Sequence, residues 1–314
     1  MATKALLVDP TALPFGSAAS RGLAALVAIA ALGGTASADI TIGIFAPSVE
    51  FGSAQARLAY VQGLAKAVES ATGQKTTAQS YASIGALRKD NVDFAIVDGQ
   101  CLAAGMFGKL IASATIGGAT TRPWALFSSA GESMQSLKGK KLAFMATGCN
   151  DAGFIDNAML ESEVDPQFFA SRAGKPDLGA AVSEVASYKT AQAVFAPTSS
   201  GKGLTKVFDT GSVPNPGFVQ VSEKLDATTS ERVAGAVQSF GGTGAIGGWT
   251  KPQREIYTAL AARLGKVTKT GILANPEPVR IDARDVLIDP PSLKDSALVD
   301  LHHHFIRPSG DRLE

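Results

Sequence analysis

Cys101 and Cys149 are the two cysteines of this 314-residue chain. Each follows an apolar run, VDFAIVDGQC and LAFMATGC, so each is expected just beyond the end of a strand. A pair so placed has three readings. The two residues are independent and buried, or they form a disulfide, or their thiolates hold a soft metal such as Cu(I) with Met106 or Met145. A nucleophilic Cys149 at a helix N-terminus is a further option. Asp151, two residues on, disfavours its thiolate, and no histidine is near in sequence.

Other polar residues stand where strands of an α/β sheet deliver their ligand contacts, beyond the carboxyl ends. Ser48 follows ITIGIFAP. Asp98 and Gln100 follow VDFAIV, although Asp-Gly is also an ordinary turn. Thr147 and Asn150 follow LAFMA, and Ser199 follows AVFAP. Thr121 and Arg122 sit in TTRPW; the arginine has the fork to clamp an anion, and a surface position is the simpler expectation. Gly242 to Gly247 fits G-x-G-x-x-G but follows a helical pattern instead of a strand, so it carries no dinucleotide reading. The histidines number three, His302 to His304, adjacent and near the end, where an exposed tail is expected. No cofactor and no catalytic residue is implied.

The composition bounds what these residues serve. With 29 basic and 28 acidic residues the chain is nearly neutral. Taking away Lys4, Arg21 and Asp9 leaves 27 of each, which argues against nucleic acid as the main partner. Residues 1–38 read as a secretory leader. Arg21 precedes the apolar run GLAALVAIAALGG, and Ala36-Ser37-Ala38 offers small residues for cleavage after Ala38. The expected product is periplasmic, a compartment that permits a disulfide.

Behind the polar residues lies an alternation of elements. ITIGIFAP reads as a buried strand. SAQARLAYVQGLAKAVESATG reads as a helix ending at Gly73. KTTAQSYAS, IGALRKDN, VDFAIVDG and QCLAAGMFGK continue as strand, helix, strand and helix, with LIASATIGG and RPWALFSS extended. A second unit starts at LKGKKLAFMATG and runs through the helix CNDAGFIDNAMLESE, the helix DLGAAVSEVASYKT and the strand AQAVFAPTSSG. Pro214 and Pro216 stiffen a connector into the strand GFVQV. A helix follows in KLDATTSERVAGAVQSF, with Thr229 or Ser230 as its N-cap. KPQREIYTALAARLG is a last amphipathic helix expected to pack on the first lobe.

In this order, ITIGIFAP, NVDFAIVDG, SLKGKKLAF and SVPNPGFVQVSEKLD resemble the phosphate, phosphite and phosphonate solute-binding proteins of ABC importers, which belong to the type 2 periplasmic binding proteins. The resemblance covers about residues 39–240. It implies an α/β fold of two lobes with a cleft and hinge crossings. Lobe 1 is expected in residues 39–130 and 211–314, and lobe 2 in residues 131–210. It also implies a solute, phosphonate-like by kinship, held in the cleft by hinge closure and handed to an ABC permease or reported to a membrane sensor. Cys101 and Cys149, with the polar residues above, would then line that cleft; the alternative is a periplasmic redox or copper-binding protein on the same scaffold that uses these two cysteines. The family presents a Ser-Thr-Ser-Gly loop after the second lobe's first strand, whereas this chain has Thr147-Gly148-Cys149-Asn150-Asp151. A carboxylate there repels an anion, so a cationic, zwitterionic or neutral solute is as well suited.

Overall fold

The structure is a computed structural model and describes residues 39–265, apart from 106, 242 and 243. The expected leader, Met106 and the three histidines lie outside the described residues. The elements run β1 (Ile40–Phe45), α1 (Ala54–Thr72), β2 (Thr76–Ser80), α2 (Ile84–Lys89), β3 (Phe94–Val97), α3 (Gly99–Ala104) and β4 (Lys109–Thr115). Next come β5 (Thr121–Ser128), α4 (Met134–Leu137), β6 (Lys141–Met145), α5 (Asp151–Gly153) with a π-helical turn (Phe154–Met159), β7 (Ser171–Lys175), α6 (Leu178–Ala186), β8 (Ala193–Pro197) and β9 (Thr205–Pro214). The chain closes with β10 (Gly217–Gln220), α7 (Ala227–Ser239), β11 (Gly248–Thr250) and α8 (Arg254–Leu264). No helix among the described residues is long and apolar enough to cross a membrane.

These elements form two sheets. The first has the order β11-β4-β10-β3-β1-β2, and the second β7-β6-β8-β5-β9. Strand β1 pairs in parallel with β2 and β3, and β6 with β7 and β8, as the strand–helix alternation requires. Strands β3 and β8 are buried along their whole length because helices cover both sheet faces, which is why they read as unbroken apolar runs. Each sheet has its own core. Ile42, Leu64, Phe94 and Phe218 pack in the first, and Leu126, Leu142, Phe195 and Leu178 in the second.

Local chemistry sets the helix ends. Ser53 caps α1 by accepting from Ala56 N, and Gly73 ends it in the left-handed region at φ 73°. The cap of α7 is Asp226, not Thr229 or Ser230: its carboxylate accepts from both the Thr229 amide and hydroxyl. A carboxylate takes two donors at once, and a serine or threonine one turn later would start the helix late. The expected helix after Cys149 holds α-geometry for only three residues. It then widens, with Leu160 N donating to Ile155 O, five residues back.

Sheet pairing separates the two halves at other positions than residues 130 and 211. All of β5 and β9 pair in the second sheet, antiparallel to each other. The chain therefore crosses between sheets at residues 116–120 and again at 215–216. Asn215 ties both crossings together. Its amide N–H donates to Thr120 O, and its Nδ2 donates to Ala119 O at 2.8 Å. Its Oδ1 accepts from Arg122 Nε at 2.8 Å, and its carbonyl accepts from Tyr257 Oη at 3.1 Å. The flanking Pro214 and Pro216 have no N–H to satisfy, so the buried asparagine carries the polar contacts of the connector.

Helix α8 packs on α3 of the first half, and also on β9 and the π-helical turn of the second. Arg263 fixes this arrangement by donating to the carbonyls of Thr210, Ser212 and Ala158. Asn157 Nδ2 returns a bond to Leu264 O at 2.9 Å. The helix thus spans the crossings and does not rest on the first lobe alone.

Candidate functional site

The carboxyl ends of β1, β3 and β6 meet between the two sheets, and each ends in a tight polar turn. After β3, Asp98 starts α3 by accepting from Gln100 N, and its other oxygen accepts from Ser48 N at 3.0 Å in the turn after β1. After β6, Asp151 closes the turn back on itself. Its carboxylate accepts from the amides of Thr147 and Gly148 and from the Thr147 hydroxyl at 2.6 Å. Gly148 and Asn150 take positive φ, 71° and 55°, which lets this turn double back.

Five hydrogen bonds and a disulfide then join the halves across the cleft. Gln100 Nε2 donates to Cys149 O at 3.0 Å and to Asp151 Oδ1 at 2.8 Å. Arg122 Nη2 donates to Ser48 O at 3.1 Å. The first amide of α6, Leu178 N, donates to Pro47 O at 3.0 Å. Ser200 Oγ donates to Glu50 at 2.6 Å. Cys101 and Cys149 form a disulfide, their Cα atoms 4.9 Å apart.

The disulfide decides among the cysteine chemistries. With both sulfurs in the bond there is no thiolate, so the Cu(I) reading loses its ligands and the Cys149 enzyme reading loses its nucleophile. Among the described residues no three His, Cys, Asp or Glu side chains cluster as a metal site.

Burial shapes the electrostatics. Asp98 is 1% exposed, and desolvation pushes its carboxyl above the usual aspartate range, against the hydrogen bonds from Ser48 and Gln100 and the nearby Arg122 charge. Burial likewise lowers the Arg122 guanidinium, which Asp98 and Glu50 partly offset. Contrary to the surface position expected for it, Arg122 is buried and bonded to Ser48 and Asn215. Ser48 Oγ and Gln100 Oε1 are buried with no hydrogen-bond partner.

The ten expected site residues therefore divide. Ser48, Asp98, Gln100, Cys101, Arg122, Thr147 and Cys149 are buried at the cleft. Thr121 is half-buried at the start of β5, paired with Pro214 at the crossing. Asn150 is exposed and turns its side chain to the Gly153 amide, and Ser199 is exposed while its neighbour Ser200 makes the cross-cleft bond. Glu50, Asp151 and Asn215 were not among the ten. The asparagine between two prolines was the readable signal, since an amide beside residues lacking N–H is the natural partner for nearby backbone. Where the cleft reaches the surface, a groove of about 390 Å³ runs between the start of α1 and the start of α6, with Glu50, Ser53, Arg57, Asp177 and Ser183 on its walls.

No protein-family model matches this sequence. No curated protein matches it either. Solved structures do share its fold. A binding-protein component of an ABC phosphonate transporter from Pseudomonas aeruginosa is 15% identical, with a TM-score of 0.56 over 72% of this chain and 85% of that one. A Xanthomonas citri protein bound to ATP is 10% identical, with a TM-score of 0.55 over 73% and 97%. A Prochlorococcus marinus protein in complex with methylphosphonate is 11% identical, with a TM-score of 0.55 over 71% and 96%. At these identities the likeness is one of fold: two α/β lobes of the type 2 periplasmic-binding-protein kind.

Proposed function

We propose that this chain is an exported solute-binding protein, periplasmic after removal of residues 1–38, that takes a small polar solute between its lobes and presents it to an ABC permease or a membrane sensor. The reading rests on the convergence of polar turns from both lobes, at Ser48, Asp98, Gln100 and Thr147, at strand ends where such sheets bind ligands. Asp151 argues for the class of solute. Two backbone amides, a hydroxyl and the Gln100 amide already surround a carboxylate, the set of donors that would otherwise hold an anion. The favoured solute is consequently cationic, zwitterionic or neutral, not a phosphonate.

Thermal unfolding of the purified chain tests this against amines, amino acids, neutral polyols, methylphosphonate and phosphite. A solute at a hundredfold excess over its dissociation constant adds about 2.7 kcal/mol and raises the midpoint. A rise with amines, amino acids or polyols supports the reading. A rise with the phosphonates alone overturns the charge argument, and none with any class, in the oxidised chain and in the reduced one, overturns solute binding.

A further inference from the structure

We infer that the Cys101–Cys149 disulfide is a redox gate on the cleft: the lobes part far enough to admit a solute only after a dithiol reductant has opened that bond. This rests on the reading of the cleft as the solute site and adds the condition under which it works.

The bond joins α3 of the first lobe to the turn after β6 of the second, so it ties two sheets to each other instead of stapling one, and Cys149 packs with Cys101 among first-lobe side chains such as Tyr81 and Ile84. The crossings at residues 116–120 and 215–216 are the backbone links about which the sheets rotate. Rotation there has to draw Cys101 and Cys149 apart. Their Cα atoms are 4.9 Å apart. A disulfide spans at most about 7 Å between Cα atoms, so the walls separate at this point by roughly 2 Å while the bond stands. The other cross-cleft links are hydrogen bonds, which exchange with water at little net cost. Helix α8 bridges the halves beside the crossings, where rotation moves it least, and the disulfide is the covalent link between the walls of the cleft.

A second observation points the same way. Ser48 Oγ and Gln100 Oε1 are buried without partners in the closed form, and Gln100 adjoins Cys101 in the chain. Opening gives both atoms water or solute to bond, which the closed form denies them.

The exchange balances as two thiol displacements. A reductant thiolate attacks the sulfur of Cys149, the less deeply buried residue of the pair at 7% exposure against 2%, from the side of the exposed Gly148 and Asn150. A mixed disulfide forms and the Cys101 thiolate leaves, taking a proton from solvent. The reductant's second thiolate then displaces Cys149, which is protonated in turn. The protein gains two electrons and two protons, and the dithiol departs as its own disulfide.

The test uses the full chain expressed with its leader and recovered from the periplasm, oxidised, reduced by dithiothreitol, and as the double variant Cys101→Ser/Cys149→Ser. Small-angle X-ray scattering reads the separation of the lobes, and amide exchange reads the turns holding Ser48 and Gln100. Reduction and the double variant are expected to enlarge the radius of gyration and to speed exchange in those turns on the order of tenfold, with far-UV circular dichroism unchanged. Two titratable thiols with no change in radius or exchange would overturn the gate. Loss of circular dichroism on reduction and in the double variant would also overturn it, by making the bond a structural staple. The solute reading stands or falls separately, on the thermal shifts of the oxidised and reduced chains.

Discussion

Gln100 Nε2 and Asp151 Oδ1 meet at 2.8 Å from opposite lobes, so a side chain of the first lobe completes the donor shell of a carboxylate in the second. The carboxylate also holds the turn after β6, through the Thr147 and Gly148 amides and the Thr147 hydroxyl. One residue thereby closes the turn and takes up the donors that the proposed reading would otherwise leave to an anionic solute.

Replacing Asp151 by serine separates these two roles. The variant loses charge-assisted hydrogen bonds, and urea unfolding is expected to show a cost of about 1.5–3 kcal/mol. It also leaves backbone amides of the turn free for an anion. Isothermal titration is expected to detect methylphosphonate binding in Asp151→Ser and none in the parent, both after reduction. Binding by the parent would show that the carboxylate does not fill the anion position.

Asp98 carries a pH signature. Desolvation raises its carboxyl, outweighing the Ser48 and Gln100 hydrogen bonds and the Arg122 charge. The folded protein then holds a proton that the unfolded chain releases near pH 4, so this group's contribution is full below that pH and declines as pH rises through the raised value. Tyr257, which also faces Asp98, is itself raised by burial and stays neutral throughout. Unfolding free energies at pH 4 to 7 are expected to fall for the parent relative to Asp98→Asn as pH increases. A parent that gains on the variant over that interval would mean the hydrogen bonds and Arg122 hold the carboxylate ionised.

How much of this was legible beforehand follows from how local each feature is. Ser53 and Gly73 set the ends of α1 through contacts within a turn, and the residues announce them. Strand β7, SRAGK, has no buried residue and no apolar alternation, and its pairing with β6 comes from position beside a buried neighbour. Strand β5 reads as extended, but which sheet it joins depends on β8 and β9, which come far later in the chain, the nearest pair being Ser128 with Ala193. At the site, the strand-end rule locates Ser48, Asp98, Gln100 and Thr147. It cannot tell Ser199 from Ser200, whose side chains part by the rotation of a single residue in a turn.

Asn215 uses its backbone amide, its carbonyl and both side-chain atoms at the crossings. Asn215→Ala is expected to leave Arg122 Nε and the Ala119 carbonyl without their partner, at a cost of roughly 1–3 kcal/mol in chemical denaturation. Asn215→Asp keeps the acceptor for Arg122 and places a carboxylate beside the Ala119 carbonyl. Its loss is expected to be at least as large. An aspartate variant as stable as the parent would show that the Arg122 bond alone matters.

Gly99 opens α3 directly against the second crossing. A Cβ built there would lie 2.1 Å from the Pro214 carbonyl oxygen and 3.0 Å from that of Asn215. Both neighbours are backbone, and the prolines on either side of Asn215 limit how far they can yield. Gly99→Ala therefore has to push α3 away from the crossing, and α3 carries Gln100 and Cys101 into the cleft. The expected cost is about 1–3 kcal/mol, as for other insertions into packed sites. Gly85, in α2, has only the Ser83 hydroxyl within reach at 3.9 Å, so Gly85→Ala is expected to be neutral or slightly stabilising and serves as the control. Thermal melts of the two variants decide the matter. Equal melting points would mean that the crossing yields to the added methyl, and that its two prolines do not fix its path.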